Sequence, residues 1–201
     1  MKIISHRRNT SEQLRETPQE YGVEVDIRSN GKQLIVHHDP FATGELFDDW
    51  ITNYKHGTLI LNVKEEGLEA RLIALMQEKE IEDYFFLDQS FPFLVKWCSK
   101  GEHRCAIRVS EFESIETALA LSGKVDWIWV DCFTKFPLSY ESALTLTNAG
   151  FKLCLVSPEL QGRDADIEIP ALIKLLSKLN IVADAVCTKR PDLWKKRANI
   201  L

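Results

Sequence analysis

The chain of 201 residues is 45% hydrophobic and 27% charged, with a formal net charge of -5. That composition fits one globular domain with a sizeable core and excludes a disordered or fibrous class. Its 25 basic residues are scattered, which leaves no electrostatic footprint for nucleic acid or an anionic membrane surface. His6, Arg7 and Arg8 follow the first strand at once and leave no room for a signal peptide, and no later run is long enough to span a membrane. The expectation is a cytoplasmic protein without stable membrane insertion. Cys98, Cys105, Cys132, Cys154 and Cys187 show no CxxC pairing, so neither a disulfide framework nor a zinc site is indicated, and the last three read as small core residues.

Short apolar runs alternate with helix-like segments from end to end. Strands are expected over Lys2 to Ser5, Val23 to Ile27, Thr58 to Val63, Tyr84 to Leu87, Cys105 to Val109, Trp127 to Val130, Leu153 to Val156 and Ala185 to Cys187. The first helix should be short or irregular, because few residues separate Ser5 from Gly22 and Pro18 interrupts them. Asn30-Gly31 is a two-residue turn signal that predicts a hairpin after the second strand, with Arg28, Lys32 and Gln33 solvated. Between Gly67 and Lys79, Leu68, Leu72, Ile73, Leu75 and Met76 form one stripe opposite Glu69, Glu78 and Lys79, the pattern of an amphipathic helix. Ser139 to Asn148 reads as a helix closed by Gly150. Ile169, Leu172, Ile173 and Leu176 mark another, with Pro170 expected in its first turn. Alternating strands and helices imply parallel strands covered by helices, and eight such units in a single domain over 1–201 fit an α/β fold of the compact (β/α)8 TIM-barrel type. A doubly wound open sheet is the structural alternative.

The chemistry concentrates in Gly22-Val23-Glu24-Val25-Asp26-Ile27 and Leu34-Ile35-Val36-His37-His38-Asp39-Pro40. Side chains alternate along a strand, so Glu24 and Asp26 share one face while Val23, Val25 and Ile27 take the other. Two like charges held so close need something positive between them, and a divalent cation with oxygen ligands is the simplest candidate. The plainer reading is an amphipathic hairpin with a wet face. A regular hairpin brings the histidines back alongside Glu24, in a register that pairs Glu24 with His37.

In a barrel of this type the chemistry is built at the C-terminal ends of the strands. The polar residues there are His6 and Arg7 after the first strand, Glu24 and Asp26 in the second, Asn62 and Lys64 at the third and Asp88 at the fourth. Arg108 and Glu111, Asp131, then Ser157, Glu159 and Arg163, then Thr188 and Lys189 close the later ones. Two imidazoles beside a carboxylate-bound cation, with Arg7 and Lys64 nearby, supply an acid, a base, a Lewis acid and positive charge for phosphate oxygens. Phosphodiester cleavage needs that inventory. Asp88, Arg108, Asp131, Glu159 and Arg163 would shape specificity, or form salt bridges across the barrel mouth.

At these residues the chain resembles the glycerophosphodiester phosphodiesterase family, within the wider superfamily of phosphatidylinositol-phospholipase-C-like barrels. His6-Arg7 resembles its opening His-Arg motif, Glu24-Val25-Asp26 its metal pair, His38-Asp39 its second histidine motif, Val63-Lys64 its strand-three lysine, and Cys187-Thr188-Lys189-Arg190-Pro191 its closing segment. Leu61-Asn62-Val63-Lys64, Phe86-Leu87-Asp88-Gln89-Ser90, Val109-Ser110-Glu111 and Val156-Ser157-Pro158-Glu159-Leu160 are similar to segments of a bacterial branch of that family.

The resemblance implies His6 and His38 as general acid and base, Glu24 and Asp26 with Asn62 as ligands of Mg2+ or Ca2+, and Arg7 and Lys64 as phosphate-binding. The substrate would be a small-molecule phosphodiester of a polyol or sugar, attacked by water or by its own neighbouring hydroxyl. Three residues depart from the family pattern: Arg8 stands for a glycine, Asn62 for a third metal-binding glutamate, and Lys189 for an aspartate. They favour the rival reading, a non-catalytic phosphate- or effector-binding barrel. An unrelated barrel isomerase acting on a sugar phosphate is a third possibility.

Overall fold

In the computed structural model, which describes residues 1–196, every expected strand forms. In chain order the strands are β1 (Lys2–Ser5), β2 (Gly22–Asn30), β3 (Gln33–Val36), β4 (Glu45–Leu46), β5 (Leu59–Val63), β6 (Tyr84–Leu87), β7 (Ala106–Val109), β8 (Trp127–Val130), β9 (Lys152–Val156) and β10 (Ala185–Thr188). β3 and β4 are an antiparallel addition to the edge of β2, and the other eight are the expected ones. The sheet curls from β6 through β5, β2, β1, β10, β9 and β8 to β7, with parallel pairing throughout. β7 approaches β6 at one parallel bridge between Phe86 and Cys105. The result is a mixed α/β fold in which a curled parallel sheet is wrapped by helices.

Alternation along the strands makes two cores. Ile4, Ile60, Phe85, Trp127, Trp129, Cys154 and Cys187 fill the inside of the curl, where the Phe85 and Trp127 rings stack with centroids 4.7 Å apart. Val23, Val25, Ile27, Leu61 and Val63 face outward and pack against the helices. These are α1 (Ser11–Glu16), α2 (Phe47–Trp50), α3 (Glu69–Glu78), α4 (Phe91–Cys98), α5 (Ile115–Leu119), α6 (Tyr140–Asn148), α7 (Ala165–Lys178) and α8 (Pro191–Lys195). α1 is a single six-residue piece ended before Pro18, as the sequence predicts. Ser139 caps α6, Gly150 takes a left-handed φ of 93° beyond its end, and all five cysteines are buried and free. Among the described residues no helix is long and apolar enough to cross a membrane.

Five local expectations are corrected. The hairpin loop is Gly31-Lys32, since Asn30 pairs with Gln33, and the register sets Ile27 opposite Val36. The ladder therefore runs on to Asp26, whose carbonyl accepts the His37 N–H at 3.1 Å, so Glu24 is not paired with His37. Arg28 is half-buried rather than solvated: its Nε donates to the His38 carbonyl at 3.0 Å and its Nη1 to the Lys64 carbonyl at 3.2 Å. α7 begins at Ala165 because the Asp164 carboxylate accepts the Asp166 and Ile167 N–H groups, which leaves Pro170 inside the helix rather than in its first turn. Glu69 is fully buried, accepting from the Gly67 N–H and the Gln89 amide.

Gly22 starts β2 where β1 and the segment entering β5 converge. A Cβ there would stand 2.5 Å from the Thr58 carbonyl oxygen and 3.0 Å from Ile4 Cγ1. Gly22→Ala should cost about 1–3 kcal/mol by forcing backbone apart, read as a lower urea midpoint at unchanged slope.

Candidate functional site

The site begins where β2 changes partners. Its first residues pair with β1, at Ile4–Gly22 and Ser5–Val23, and its last with β3. Between them the chain leaves β1 at His6, and the freed edge of β2 is caught piecemeal. The Arg8 N–H donates to the Glu24 carbonyl at 2.8 Å, and the Asn9 Oδ1 accepts the Asp26 N–H at 3.0 Å. Arg8 needs no glycine-like backbone: the left-handed φ of 52° falls on Arg7, and the Arg8 carbonyl is held at 2.8 Å by Trp50 Nε1.

On the inner face of that edge lie Glu24 and Asp26, 1% and 0% exposed. Glu24 Oε2 accepts the Arg7 N–H at 2.6 Å, and its Oε1 accepts Asn62 Nδ2 at 2.8 Å. Asp26 Oδ2 accepts Asn9 Nδ2 at 2.8 Å and lies 3.2 Å from Arg7 Nε, while Oδ1 lies 3.2 Å from Lys64 Nζ. Burial and the charge of Asp26 push the Glu24 carboxyl up to about 7, against the opposing pull of Asn62, Lys64 and the Arg7 N–H. His6 Nε2 is 3.7 Å from Glu24 Oε2. Burial, then the charges of Arg7 and Lys189, push His6 down to about 3, so its ring is neutral at pH 7.

Lys64 also donates to Asp88 at 3.0 Å; Asp88 pairs with Arg108, and Arg108 Nη1 donates to Asp131 at 2.8 Å. An ionic chain thus crosses the C-terminal ends of five strands, from Asp26 on β2 to Asp131 just past β8. Asp88, like Arg7, takes a left-handed φ, here 60°, directly after its strand. For Asp88, Arg108 and Asp131 the salt-bridge reading describes the geometry. Glu159 and Arg163 stand apart from this chain. Glu159 accepts from Ser157, Thr188 and the Lys189 N–H, and Arg163 reaches the Cys132 carbonyl at 2.9 Å.

The two adjacent histidines differ. Nδ1 of His37 accepts the Asp39 N–H at 2.9 Å and is spent on the turn. Nδ1 of His38 meets the Asp39 carboxylate at 2.7 Å, a bond that holds Asp39 below the usual carboxylate range and leaves His38 Nε2 available. His38 shares an open groove of about 630 Å³ with Arg7 and Asn9.

Three contributors were not singled out from the sequence. Asn9 clamps Asp26 at both backbone and side chain, Gln161 holds Asp131 at 2.7 Å, and Arg28 ties the ends of β3 and β5. Arg28 had a signal, since it shares the alternation face of Glu24 and Asp26. Asn9 and Gln161 lie in a loop and a short 3-10 turn, where no periodicity marks them.

Among the described residues no group of three His, Cys, Asp or Glu side chains is placed to hold a metal. The candidate set is two carboxylates and an amide. Asn62 Oδ1 is buried without a hydrogen-bond partner, and Asp26 Oδ1, also buried, is met only by the Lys64 ammonium at 3.2 Å; hard cations take such oxygens. Glu24, Asp26 and Asn62 are the residues whose oxygens could hold a hard divalent cation.

No family model matches the chain, and no curated protein matches it. Among solved structures, glycerophosphodiester phosphodiesterase from Agrobacterium tumefaciens str. C58 is similar over 97% of this chain and 99% of its own, with a TM-score of 0.66 and 16% identity. The chain therefore shares the fold of a glycerophosphodiester phosphodiesterase, as the resemblance of its motifs implies. A putative aldo-keto reductase from Pseudomonas aeruginosa aligns with a TM-score of only 0.42 at 12% identity, covering 98% of this chain and 76% of its own.

The burial of Glu24 sets a pH dependence. Its folded value of about 7 lies above the ordinary 4.5, so the folded state holds more protons between those values. The contribution to stability is complete below pH 4.5 and fades as pH rises through 7. His6 acts oppositely, its contribution fading as pH falls from 6.5 toward 3. In chelator, Glu24→Gln should abolish a loss of at most about 3 kcal/mol between pH 5 and 8, measured by denaturant midpoints at each pH.

Proposed function

We propose that this chain is a phosphoric diester hydrolase that cleaves a glycerophosphodiester-like or sugar or polyol phosphodiester, working at the mouth of a complete (β/α)8 barrel whose eighth seam is the Phe86–Cys105 contact. The reading is carried by one observation: His6, Arg7, Glu24, Asp26, Asn62 and Lys64 converge on one inner edge of the sheet. The shared fold supports it.

In this reading Glu24, Asp26 and the Asn62 amide oxygen hold Mg2+ or Ca2+, which when bound supplies Lewis acidity and charge toward the phosphate. Arg7 and Lys64 bring positive charge to the phosphoryl oxygens, Arg7 as a planar fork and Lys64 as a point charge. His6, neutral at pH 7, takes the proton of the attacking hydroxyl. His38 gives a proton from Nε2 to the departing alcohol, while Asp39 fixes its ring through Nδ1.

Purified protein should hydrolyse glycerophosphodiesters and a chromogenic phosphodiester, and chelation should abolish turnover. His6→Ala and His38→Ala should each lower kcat by about 10²–10⁴-fold, with His37→Ala close to wild type. Loss of activity in His37→Ala alone would reverse the assignment of the two adjacent histidines.

A second reading has its own observation. Both Asp26 oxygens are already approached by cations of the chain itself, Arg7 and Lys64, which suits a phosphate- or effector-binding barrel without turnover. Asn62→Glu separates the two. In the metal-dependent reading the added charge strengthens calcium binding by roughly tenfold or more, read as a calcium-dependent rise in melting temperature. In the binding-only reading the variant gains no calcium response.

A further inference from the structure

Beyond the Phe86–Cys105 bridge no ladder joins β6 to β7 among the described residues. The gap holds a cleft of about 680 Å³, a size typical of small-molecule sites. Its inner end is Asp88 and Arg108, and Asp88 also binds Lys64, so the cleft begins one ion pair from the proposed phosphate position. From there it runs outward past Leu94 of α4 and Ile107 of β7 to Phe91 and Phe112, which are 50% and 77% exposed. Glu113, Ser114 and Thr117 line its α5 side, and Glu113 is already engaged by Ser110 Oγ at 2.7 Å. Charge at the inner end and exposed aromatic rings at the outer end define an amphipathic ligand.

We propose that this cleft receives an apolar alkyl or acyl arm of the phosphodiester substrate, laid outward between α4 and α5 while the phosphate stays at Arg7 and Lys64. The assignment rests on the phosphodiesterase reading above and narrows its substrate to diesters with one apolar arm. Each methylene buried strengthens binding roughly fourfold, so a few suffice to dominate selectivity after the ordering cost of the chain.

The test compares two ligands with the same phosphocholine head, glycerophosphocholine and dodecylphosphocholine, by calorimetry below the micelle concentration, alongside hydrolysis of both. Wild type should bind the dodecyl ligand at least about tenfold more tightly. Thr117→Trp, which fills the cleft from an exposed helix position, and Phe112→Asp, at its rim, should each reduce that ratio to about threefold or less. Because the readout is a ratio, a general weakening of binding cancels. Hydrolysis of glycerophosphocholine with equal affinity for the two ligands would overturn the cleft assignment and leave the phosphodiesterase reading intact. Tail-dependent binding that both variants abolish, without hydrolysis of either ligand, would support the cleft and overturn the phosphodiesterase. A tail advantage that survives in both variants would place the arm elsewhere and defeat the proposal.

Discussion

Two carboxylates on one strand, both out of contact with bulk water, are the constraint around which the C-terminal face is organised. Buried like charges are tolerated only when fixed donors and cations surround them. Glu24 and Asp26 draw a backbone N–H, two amides, a guanidinium and an ammonium from four residues on two segments, the loop after β1 and the end of β5. The left-handed turn at Arg7 aims its N–H at Glu24 and brings its side chain over Asp26, which gives a physical reason for a non-glycine residue in a costly conformation. Lys64 then carries the charge compensation on to Asp88 and Arg108, so the later strand ends inherit their polarity from β2.

The strands were legible as short apolar runs, unbroken over Tyr84–Leu87, Trp127–Val130 and Leu153–Val156 and interrupted in β2 and β5 by the polar residues that face the site. The pairing of the two carboxylates was legible for the related reason that strand alternation is strict. What failed turned on competition between local signals. Asp164 outbid Pro170 as the start of α7, and Gly31 moved the hairpin loop by one residue, which changed every cross-strand partner. Arg28 looked solvated beside a turn, although its parity with Glu24 and Asp26 points it inward. Asn9 replaces a missing strand with a side-chain amide, and nothing in a sequence announces that substitution.

The departures from the family pattern also find structural settings. Arg8 occupies an ordinary backbone position whose N–H completes the β2 edge. Asn62 donates one amide hydrogen to Glu24 and keeps its oxygen unpaired, so it acts as a ligand candidate and as a clamp at once. Lys189 uses its N–H to hold Glu159, while its charge contributes to keeping His6 unprotonated.

The single bridge between β6 and β7 makes that joint the cheapest place for the wall to breathe. Opening it breaks few backbone hydrogen bonds, whereas parting β2 from β5 would break a ladder five residues long. Transient widening would therefore concentrate beside Asp88 and Arg108 and leave the carboxylate pair on β2 undisturbed, so the chain can loosen its flank while its charged centre stays rigid.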